Sequence, residues 1–154
     1  MMTELLFSEN FIEGRDWERK NYNLNTIILK EGQHSGKVFI ILQGRVRITA
    51  SVALEGRSIR PGFKELGPLD IFGELALFDA TPHGATVIAV SEVEVAEVDA
   101  RRLVKFLQCH PEIGCRFYRY LVEVLVARIQ GTNQKMLSLL AWGLKSHGYT
   151  NYLD

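Results

Sequence analysis

The hydrophobic pattern of this 154-residue chain changes its period once, close to Asp99. Upstream, short apolar runs between glycine-containing turns predict β-strands at residues 27–29 and 38–42, and again at 85–90 and 93–98. Downstream, apolar residues recur at steps of three and four, which is the spacing of one helix face. The sequence therefore predicts a mainly β fold with flanking helices, in which short strands build a small sandwich or barrel.

The β region is bounded by a mixed segment and divided by turns. Residues 8–20 combine apolar and charged side chains, which predicts a short amphipathic helix or an ordered arm. Glu55-Gly56 indicates a hairpin turn. Residues 60–70 contain Pro-Gly and Gly-Pro pairs, so they are interpreted as a loop-rich region.

Alternation predicts which side chains of two strands face the core. In residues 45–50 the apolar side chains occupy the even positions, so Thr49 is expected on the opposite face together with two arginines. In residues 93–98 the alternation slips at Ala96-Glu97, which indicates a β-bulge or a bend at that point.

Two helices follow the change of period. Asp99 fits the N-cap of a short helix at residues 100–108, and Pro111 suits the first turn of a second helix. The second pattern continues for roughly 30 to 35 residues, or about 50 Å, which exceeds a typical domain helix. One small domain does not easily cover such a helix, so we expect a homodimer with a parallel or near-parallel helix seam. The alternative is a long helix folded back over its own barrel.

Composition and charge exclude several classes of protein. Basic and acidic residues number 18 each and are dispersed, so we expect no basic face that binds a DNA duplex. Neither a membrane span nor a signal peptide is visible, which predicts a cytoplasmic protein without membrane contact. Cys109 and Cys115 fit no zinc or redox spacing and are interpreted as buried reduced thiols. The histidines are scattered and no nucleophile–base pair is present, so we expect no enzyme, no catalytic residues, no metal and no cofactor.

The strongest functional signal lies in residues 72–87, which read FGELALFDATPHGATV. With glycines at positions 32 and 44 and the long helix downstream, this stretch resembles the phosphate-binding cassette of cyclic nucleotide-binding domains. Such domains occur in bacterial catabolite activators and in regulatory subunits of cyclic-nucleotide-dependent kinases. The resemblance covers residues 23–142. It implies a double-stranded β-helix (jelly-roll) barrel with an N-terminal helical segment and a long C-terminal helix.

The resemblance assigns ligand-binding roles within the cassette. It implies that the Glu74 carboxylate accepts a hydrogen bond from the ribose 2′-hydroxyl of a cyclic nucleotide. Backbone N–H groups would contact the cyclic phosphate, because glycines permit close approach and the short turn adds a favourable dipole. The cassette residues that receive ligand-binding roles are Gly73, Glu74, Leu75, His83, Gly84, Ala85 and Thr86.

The chain departs from the family pattern at His83, where the family normally places an arginine that pairs with the phosphate. Losing that bidentate contact costs on the order of 2 to 4 kcal/mol, or roughly 30- to 1000-fold in affinity. If protonated His83 holds the phosphate instead, affinity is expected to rise as the pH falls from about 8 to 6. Arg57, Arg60 and Lys64 precede the cassette and are candidates to compensate.

The long helix carries a second matching segment at residues 127–135. By resemblance to catabolite activators, Thr132 and Asn133 would contact a purine amino group across the dimer, which favours cyclic AMP over cyclic GMP. The alternative is structural, because two polar side chains in a helix seam also fix its register, as a buried asparagine does.

These expectations define one domain and two rival functions. Residues 1–154 are interpreted as a single cyclic nucleotide-binding-like domain, with a β-roll at 22–98 and C-terminal helices at 99–146. No helix-turn-helix is visible, so DNA binding by this chain alone is not expected. The first hypothesis is a regulatory sensor that binds a cyclic nucleotide with weakened affinity. The alternative is a degenerate, non-binding domain that acts as a scaffold for dimerisation or for an unknown protein partner.

Overall fold

The protein's structure, a computed structural model, describes residues 1–50, 52–54, 57–59, 62–78 and 82–146. Its elements in chain order are α1 (Met2–Leu6), β1 (Trp17–Tyr22), β2 (Ile27–Leu29), β3 (Lys37–Gln43), β4 (Val46–Thr49), β5 (Val52–Leu54), β6 (Arg57–Ile59), β7 (Gly62–Leu66), β8 (Ile71–Phe72), a 3-10 helix called the cassette helix (Glu74–Leu77), β9 (Thr86–Ala89), β10 (Val93–Asp99), α2 (Ala100–Cys109) and α3 (Pro111–Ser146). The chain divides into two compact units, Met1–Ile113 and Gly114–Asp154.

Two antiparallel four-stranded sheets form the β part of the first unit. One has the strand order β1-β10-β3-β8 and the other β2-β9-β4-β7, and the two are not closed into a single sheet. β5 pairs with β6, and the predicted turn between them, Glu55-Gly56, lies outside the described residues. These sheets, with helices at both ends of the chain, confirm the predicted mainly β, jelly-roll fold class.

Apolar side chains from both sheets form the core of the first unit. Phe39 of β3 and Phe72 of β8 stack with their ring centroids 4.9 Å apart. Burial of each such side chain contributes about 1.5–3 kcal/mol. The buried residues around them are Leu29, Ile41, Val46, Leu66, Val87, Ala89, Val93 and Val95. Because Phe72 directly precedes the Gly-Glu pair, this core anchors the beginning of the cassette.

The turn glycines of the sequence pattern occupy conformations that favour glycine. Gly44 has a φ of +85°, and a Cβ on it would lie 2.1 Å from the carbonyl oxygen of Glu92. Gly32 has a φ of +80°. A side chain at Gly44 would therefore require both a strained backbone and displacement of the neighbouring turn.

The N-terminal segment differs from the prediction. The helix lies at Met2–Leu6, residues 8–16 contain turns and a single bridge, and β1 begins at Trp17. β1 pairs with β10 along its whole length. A helix within 8–20 is therefore the wrong prediction, because pairing with a strand from the far end of the β region decides this segment.

The two predictions from alternation have different outcomes. Thr49 is buried, but β4 keeps one register with β9 from Val46 to Thr49, so the predicted alternation of β4 is unbroken and the burial is what the sequence did not reveal. In β10 the irregularity lies between Glu94 and Val95 rather than at Ala96-Glu97. A register shift moves every following side chain to the other face, and local sequence does not reveal where it occurs.

Glu97 explains why the pattern of β10 is misleading. Its side chain is buried and forms an ion pair with the Lys37 ammonium group. The Tyr22 hydroxyl donates to Glu97 Oε2 at 3.3 Å, and burial together with this carboxylate raises the pKa of Tyr22 to about 12. A carboxylate thus occupies an inward position with two partners of its own.

Two further predictions are corrected. The region 60–70 contains β7, which pairs with β4, so sheet pairing overrides the local Pro and Gly signals. Cys109 and Cys115 are exposed rather than buried, since neither lies on the buried side of its helix.

The helices after β10 follow the prediction. Asp99 caps α2, and its Oδ1 accepts the N–H of Arg102 at 2.9 Å. α3 begins at Pro111 and continues for 36 residues, which is about 54 Å at 1.5 Å per residue. Of the helices that the structure describes, none combines the length and the apolar character needed to cross a membrane.

Candidate functional site

Gly73 fixes the geometry at the beginning of the cassette. Its φ is +73°, and a Cβ on it would lie 2.9 Å from the carbonyl oxygen of Lys37 and 3.2 Å from the Phe39 ring. Any other residue would be strained and would collide with β3. This close packing ends β8 and lets the cassette helix begin at Glu74.

The cassette helix is a single 3-10 turn. The N–H of Ala76 donates to the carbonyl oxygen of Gly73, and the N–H of Phe78 donates to that of Leu75, both at 3.1 Å. Glu74 is half-buried, whereas the side chains of Leu75 and Phe78 are exposed. The turn therefore combines one partly sheltered carboxylate with exposed apolar groups.

His83 is held by the turn at residues 31–36. Its side chain is buried, and its Nε2 lies 2.9 Å from Ser35 Oγ. The backbone N–H of His83 donates to the carbonyl oxygen of Gln33, and the carbonyl oxygen of His83 accepts the N–H of Gly32, both at 2.9 Å. Burial, followed by the nearby His34, lowers the pKa of His83, while Glu74 opposes that shift. The neutral imidazole is therefore the favoured form at pH 7.

Thr86 forms a second link between the cassette and the same turn. Its side chain is buried, and its Oγ1 accepts the backbone N–H of Glu31 at 3.1 Å. Its carbonyl oxygen accepts from the buried Thr49 hydroxyl at 3.5 Å. The end of the cassette is therefore fixed by hydrogen bonds on both sides of β9.

Gly84 and Ala85 lie between these two anchors. Gly84 is exposed, and a Cβ on it would meet nothing within 4 Å. Ala85 is half-buried. Unlike Gly73, Gly84 is not required by packing against any of the described residues, so its backbone lies next to open space among them.

Of the basic residues expected to compensate for His83, Lys64 is exposed on β7. The side chains of Arg57 and Arg60 lie outside the described residues. Compensation by any of the three stays a prediction.

Thr132 and Asn133 lie in the second unit, whereas the predicted cassette ligands lie in the first. Both side chains are exposed on α3. The Thr132 hydroxyl donates to the carbonyl oxygen of Arg128 at 2.9 Å, one turn earlier in the same helix. This is a common local bond for threonine in a helix and leaves the hydroxyl able to accept.

Sequence reasoning missed Ser35 and did not anticipate the burial of Thr49. Ser35 lies 48 residues before His83, within a segment interpreted only as a turn. No spacing or motif connects positions so far apart, and their contact follows from the order of strands in the sheets. Among the described residues, no group of three or more His, Cys, Asp or Glu is arranged to hold a metal ion.

The sequence matches known proteins over much of its length. A family model described as cyclic nucleotide-binding domain matches residues 19–110, more than half of the chain. The CRP-like cAMP-activated global transcriptional regulator of Mycobacterium tuberculosis is 30% identical over 117 residues, which cover 73% of this chain and 47% of that protein. The cAMP-dependent protein kinase regulatory subunit of Dictyostelium discoideum is 31% identical over 85 residues, covering 55% of this chain and 26% of that protein. The chain therefore spans less than half the length of these two relatives.

A solved structure supports the fold. The crystal structure of a cyclic nucleotide-binding domain from Methylobacillus flagellatus matches with a TM-score of 0.71 at 21% identity. The match covers 79% of this chain and 67% of that chain. At this identity it is evidence for the shared architecture of sheets and helices.

Proposed function

This chain belongs to the cyclic nucleotide-binding domain family, and we propose that it is a regulatory module that binds a cyclic nucleotide at its cassette. The observation that carries the proposal is the left-handed Gly73, which packs against β3 and places Glu74 at the first position of the cassette helix. Two relatives that match the chain are named for cAMP, which supports this class of ligand.

Each part of the cassette suits one part of the ligand. Glu74 accepts a hydrogen bond from the ribose 2′-hydroxyl, since a carboxylate is a pure acceptor. The backbone of Leu75, Gly84 and Ala85 donates to the cyclic phosphate, and the open space beside Gly84 allows a close approach. Thr86 holds β9 against the turn, so the donors are ordered before the ligand arrives.

His83 weakens this site. Its burial and lowered pKa favour the neutral imidazole, so it brings no positive charge to the phosphate at neutral pH. Loss of a charge-assisted bidentate contact reduces affinity by about one to three orders of magnitude. Because the pKa of His83 is lowered, any gain from its protonation lies at the acidic end of the predicted pH range.

Isothermal titration calorimetry at pH 7.5 with cyclic AMP and cyclic GMP tests the proposal. We expect saturable binding with a Kd between about 10 μM and 1 mM. Absence of heat up to about 5 mM of either nucleotide would contradict it.

We propose that α3 forms a parallel homodimer. Its apolar side chains at Val122, Val126, Ile129, Met136 and Leu140 are each 46–59% exposed. They alternate at steps of four and three, which is the spacing of a coiled-coil seam, and Asn133 occupies the position between Ile129 and Met136. A polar residue at one such position fixes register and favours two strands, which is the structural alternative to a purine contact for Asn133.

Thr132 and Asn133 supply the proposed preference for cyclic AMP over cyclic GMP. Asn133 has both a donor and an acceptor, and Thr132 has an acceptor lone pair that remains available. In a dimer these groups would reach the purine amino group of the partner's ligand. Cyclic AMP is expected to bind more tightly than cyclic GMP in the same calorimetric titrations.

A second candidate function is a non-binding scaffold that dimerises or docks to a protein partner. The observation that favours it is His83, which is buried and engaged with Ser35 in place of the family's arginine. Under either function we propose a cytoplasmic, non-catalytic protein that does not itself bind DNA. The matching family and the two regulatory relatives support a regulatory role rather than catalysis.

A further inference from the structure

Ser35 gives the His83 side chain a hydrogen-bond partner that fixes the roles of its two ring nitrogens. Ser35 Oγ lies 2.9 Å from His83 Nε2, and it already accepts the backbone N–H of Lys37 at 3.2 Å. The other acceptor for the Ser35 hydroxyl proton is the carbonyl oxygen of Lys37 at 3.5 Å. That distance is beyond the usual O–H···O range of about 2.5–3.0 Å. The hydroxyl therefore donates to His83 Nε2.

This hydrogen bond determines what the imidazole can offer to a ligand. A neutral imidazole whose Nε2 accepts a hydrogen bond carries its own proton on Nδ1. Burial favours this neutral form of His83. Among the described residues no group is hydrogen-bonded to Nδ1, which retains some solvent-accessible surface. His83 therefore presents one free N–H donor that carries no charge.

The imidazole lies beside the proposed contacts to the ribose and the phosphate. His83 directly precedes Gly84 and Ala85, whose backbone N–H groups are the proposed phosphate donors. Together with the cassette helix it lines a groove of about 950 Å³, so a ligand at the cassette has access to the ring. Burial lowers the pKa of His83, and Glu74, the proposed ribose contact, is close enough to oppose that shift.

We propose that Ser35 is a positioning residue that holds His83 as its Nδ1–H tautomer, and that this N–H donates to the cyclic phosphate. The inference rests on the proposed function, since it states how the same cassette partly replaces the family's arginine. Ser35 itself acts through His83 and does not contact the ligand. One neutral donor restores less than a charged planar fork does, but it needs no protonation of His83 at neutral pH.

Long-range ¹H–¹⁵N correlation NMR of the labelled full chain at pH 7.5 identifies the tautomer directly. His83→Gln assigns the resonances, because it removes the pattern of one of the four histidines. We expect the Nδ1–H tautomer in the wild type and, with cyclic AMP, a larger shift at Nδ1 than at Nε2. Ser35→Ala should move the population towards the Nε2–H tautomer, whereas Ser35→Thr retains the hydroxyl and should retain the Nδ1–H form.

Calorimetry with cyclic AMP measures the consequence for binding. Ser35→Ala should weaken binding about three- to tenfold, because a neutral hydrogen bond to the phosphate is lost. The matched control is Ser91→Ala, which removes another half-buried hydroxyl that accepts a backbone N–H, that of Arg45 at 3.0 Å. It should leave the affinity unchanged. In the His83→Ala background, Ser35→Ala should have no further effect.

The outcomes separate this inference from the proposed function. Binding of cyclic AMP by a wild type with the Nε2–H tautomer would overturn only the role of Ser35. Equal losses in Ser35→Ala and Ser91→Ala, or a full loss from Ser35→Ala that persists in the His83→Ala background, would also overturn it. An Nδ1–H tautomer without any cyclic AMP binding would contradict the proposed function and the phosphate contact together.

Discussion

The cassette and α3 present their polar and apolar groups in opposite ways. In the cassette, His83 and Thr86 are 6% and 1% exposed and are hydrogen-bonded to the turn at 31–36. On α3, the seam side chains such as Ile129 and Leu140 are more than half exposed. His83 and Thr86 are therefore held by their own chain, whereas the long helix presents a face that a second surface can cover.

This difference has separate consequences for ligand binding and for dimerisation. Side chains that are held before binding can contact a ligand at small entropic cost, but they cannot easily supply a missing charge. An uncovered helix face gains most of its order and stability from a partner. Loss of the family's arginine should therefore weaken ligand binding at the cassette without affecting dimerisation through α3.

The largest expected effect is on the proposed dimerisation through α3. Val126→Asp with Leu140→Asp places charges at two seam positions and should weaken the dimer at least about 100-fold, since apolar burial is lost in both copies. Sedimentation velocity across a concentration series measures the change. The matched control is Ala127→Asp with Ala141→Asp, at exposed positions off the seam. A wild-type monomer at all concentrations, or equal dissociation in the control, would contradict the seam.

Next in size is the ribose contact. Glu74→Ala should weaken cyclic AMP binding about 10- to 100-fold, because the charged acceptor of the 2′-hydroxyl hydrogen bond is lost. Calorimetry of wild type and variant with cyclic AMP and its 2′-deoxy analogue forms a double-mutant cycle. The variant should bind the two ligands equally. Unequal binding would remove the 2′-hydroxyl contact from Glu74.

His83→Arg sharpens the contrast further. Restoring the guanidinium should tighten cyclic AMP binding at least about tenfold and leave dimerisation unchanged, because only the cassette gains a charge. Titration calorimetry and sedimentation on one preparation measure both. His83→Lys serves as the control, because it adds charge without a planar fork and should give a smaller gain. An unchanged dissociation constant for cyclic AMP in both variants would mean that a feature other than His83 blocks binding.

The two cassette glycines provide a matched pair for stability. Gly73→Ala should lower the free energy of unfolding by about 1–2 kcal/mol, because alanine is strained at a left-handed φ. The 2.9 Å distance between the new Cβ and the carbonyl oxygen of Lys37 adds a further cost. The methyl group added by Gly84→Ala points into open space, so this variant should change the free energy of unfolding by less than about 0.5 kcal/mol. Urea unfolding measures both. Equal effects would contradict the different roles of the two residues.

The smallest expected effect is the pH dependence caused by His83. Burial lowers its folded-state pKa below 6.5, so the unfolded chain binds the proton first as the pH falls. The free energy of unfolding should therefore be highest above pH 6.5 and should decrease as the pH falls towards the folded pKa. His83→Gln should remove this slope, whereas His34→Gln should retain most of it, since burial is the larger cause. A slope that is unchanged in His83→Gln would assign it to another group.

Local signals in the sequence were sufficient for the two helices that follow β10 and for the turn glycines. Asp99 and Pro111 mark helix starts through capping and backbone geometry, which depend on near neighbours. Gly32, Gly44 and Gly73 mark positive φ for the same reason.

The errors arise where pairing between distant strands decides the outcome. Thr49 is buried beside Thr86 of the neighbouring strand, and Glu97 faces inward because Lys37 and Tyr22 provide its partners. The link from His83 to Ser35 also depends on the sheet order rather than on any spacing. Linear alternation contains no information about these contacts.

The central claim is that the cassette binds a cyclic nucleotide although its arginine position holds His83. A crystal structure grown with cyclic AMP tests this most directly. The account predicts the nucleotide with its ribose 2′-hydroxyl within hydrogen-bonding distance of the Glu74 carboxylate and its phosphate against the backbone N–H groups of Gly84 and Ala85. A cassette without nucleotide at saturating cyclic AMP, with protein side chains filling the space beside Glu74, would contradict it.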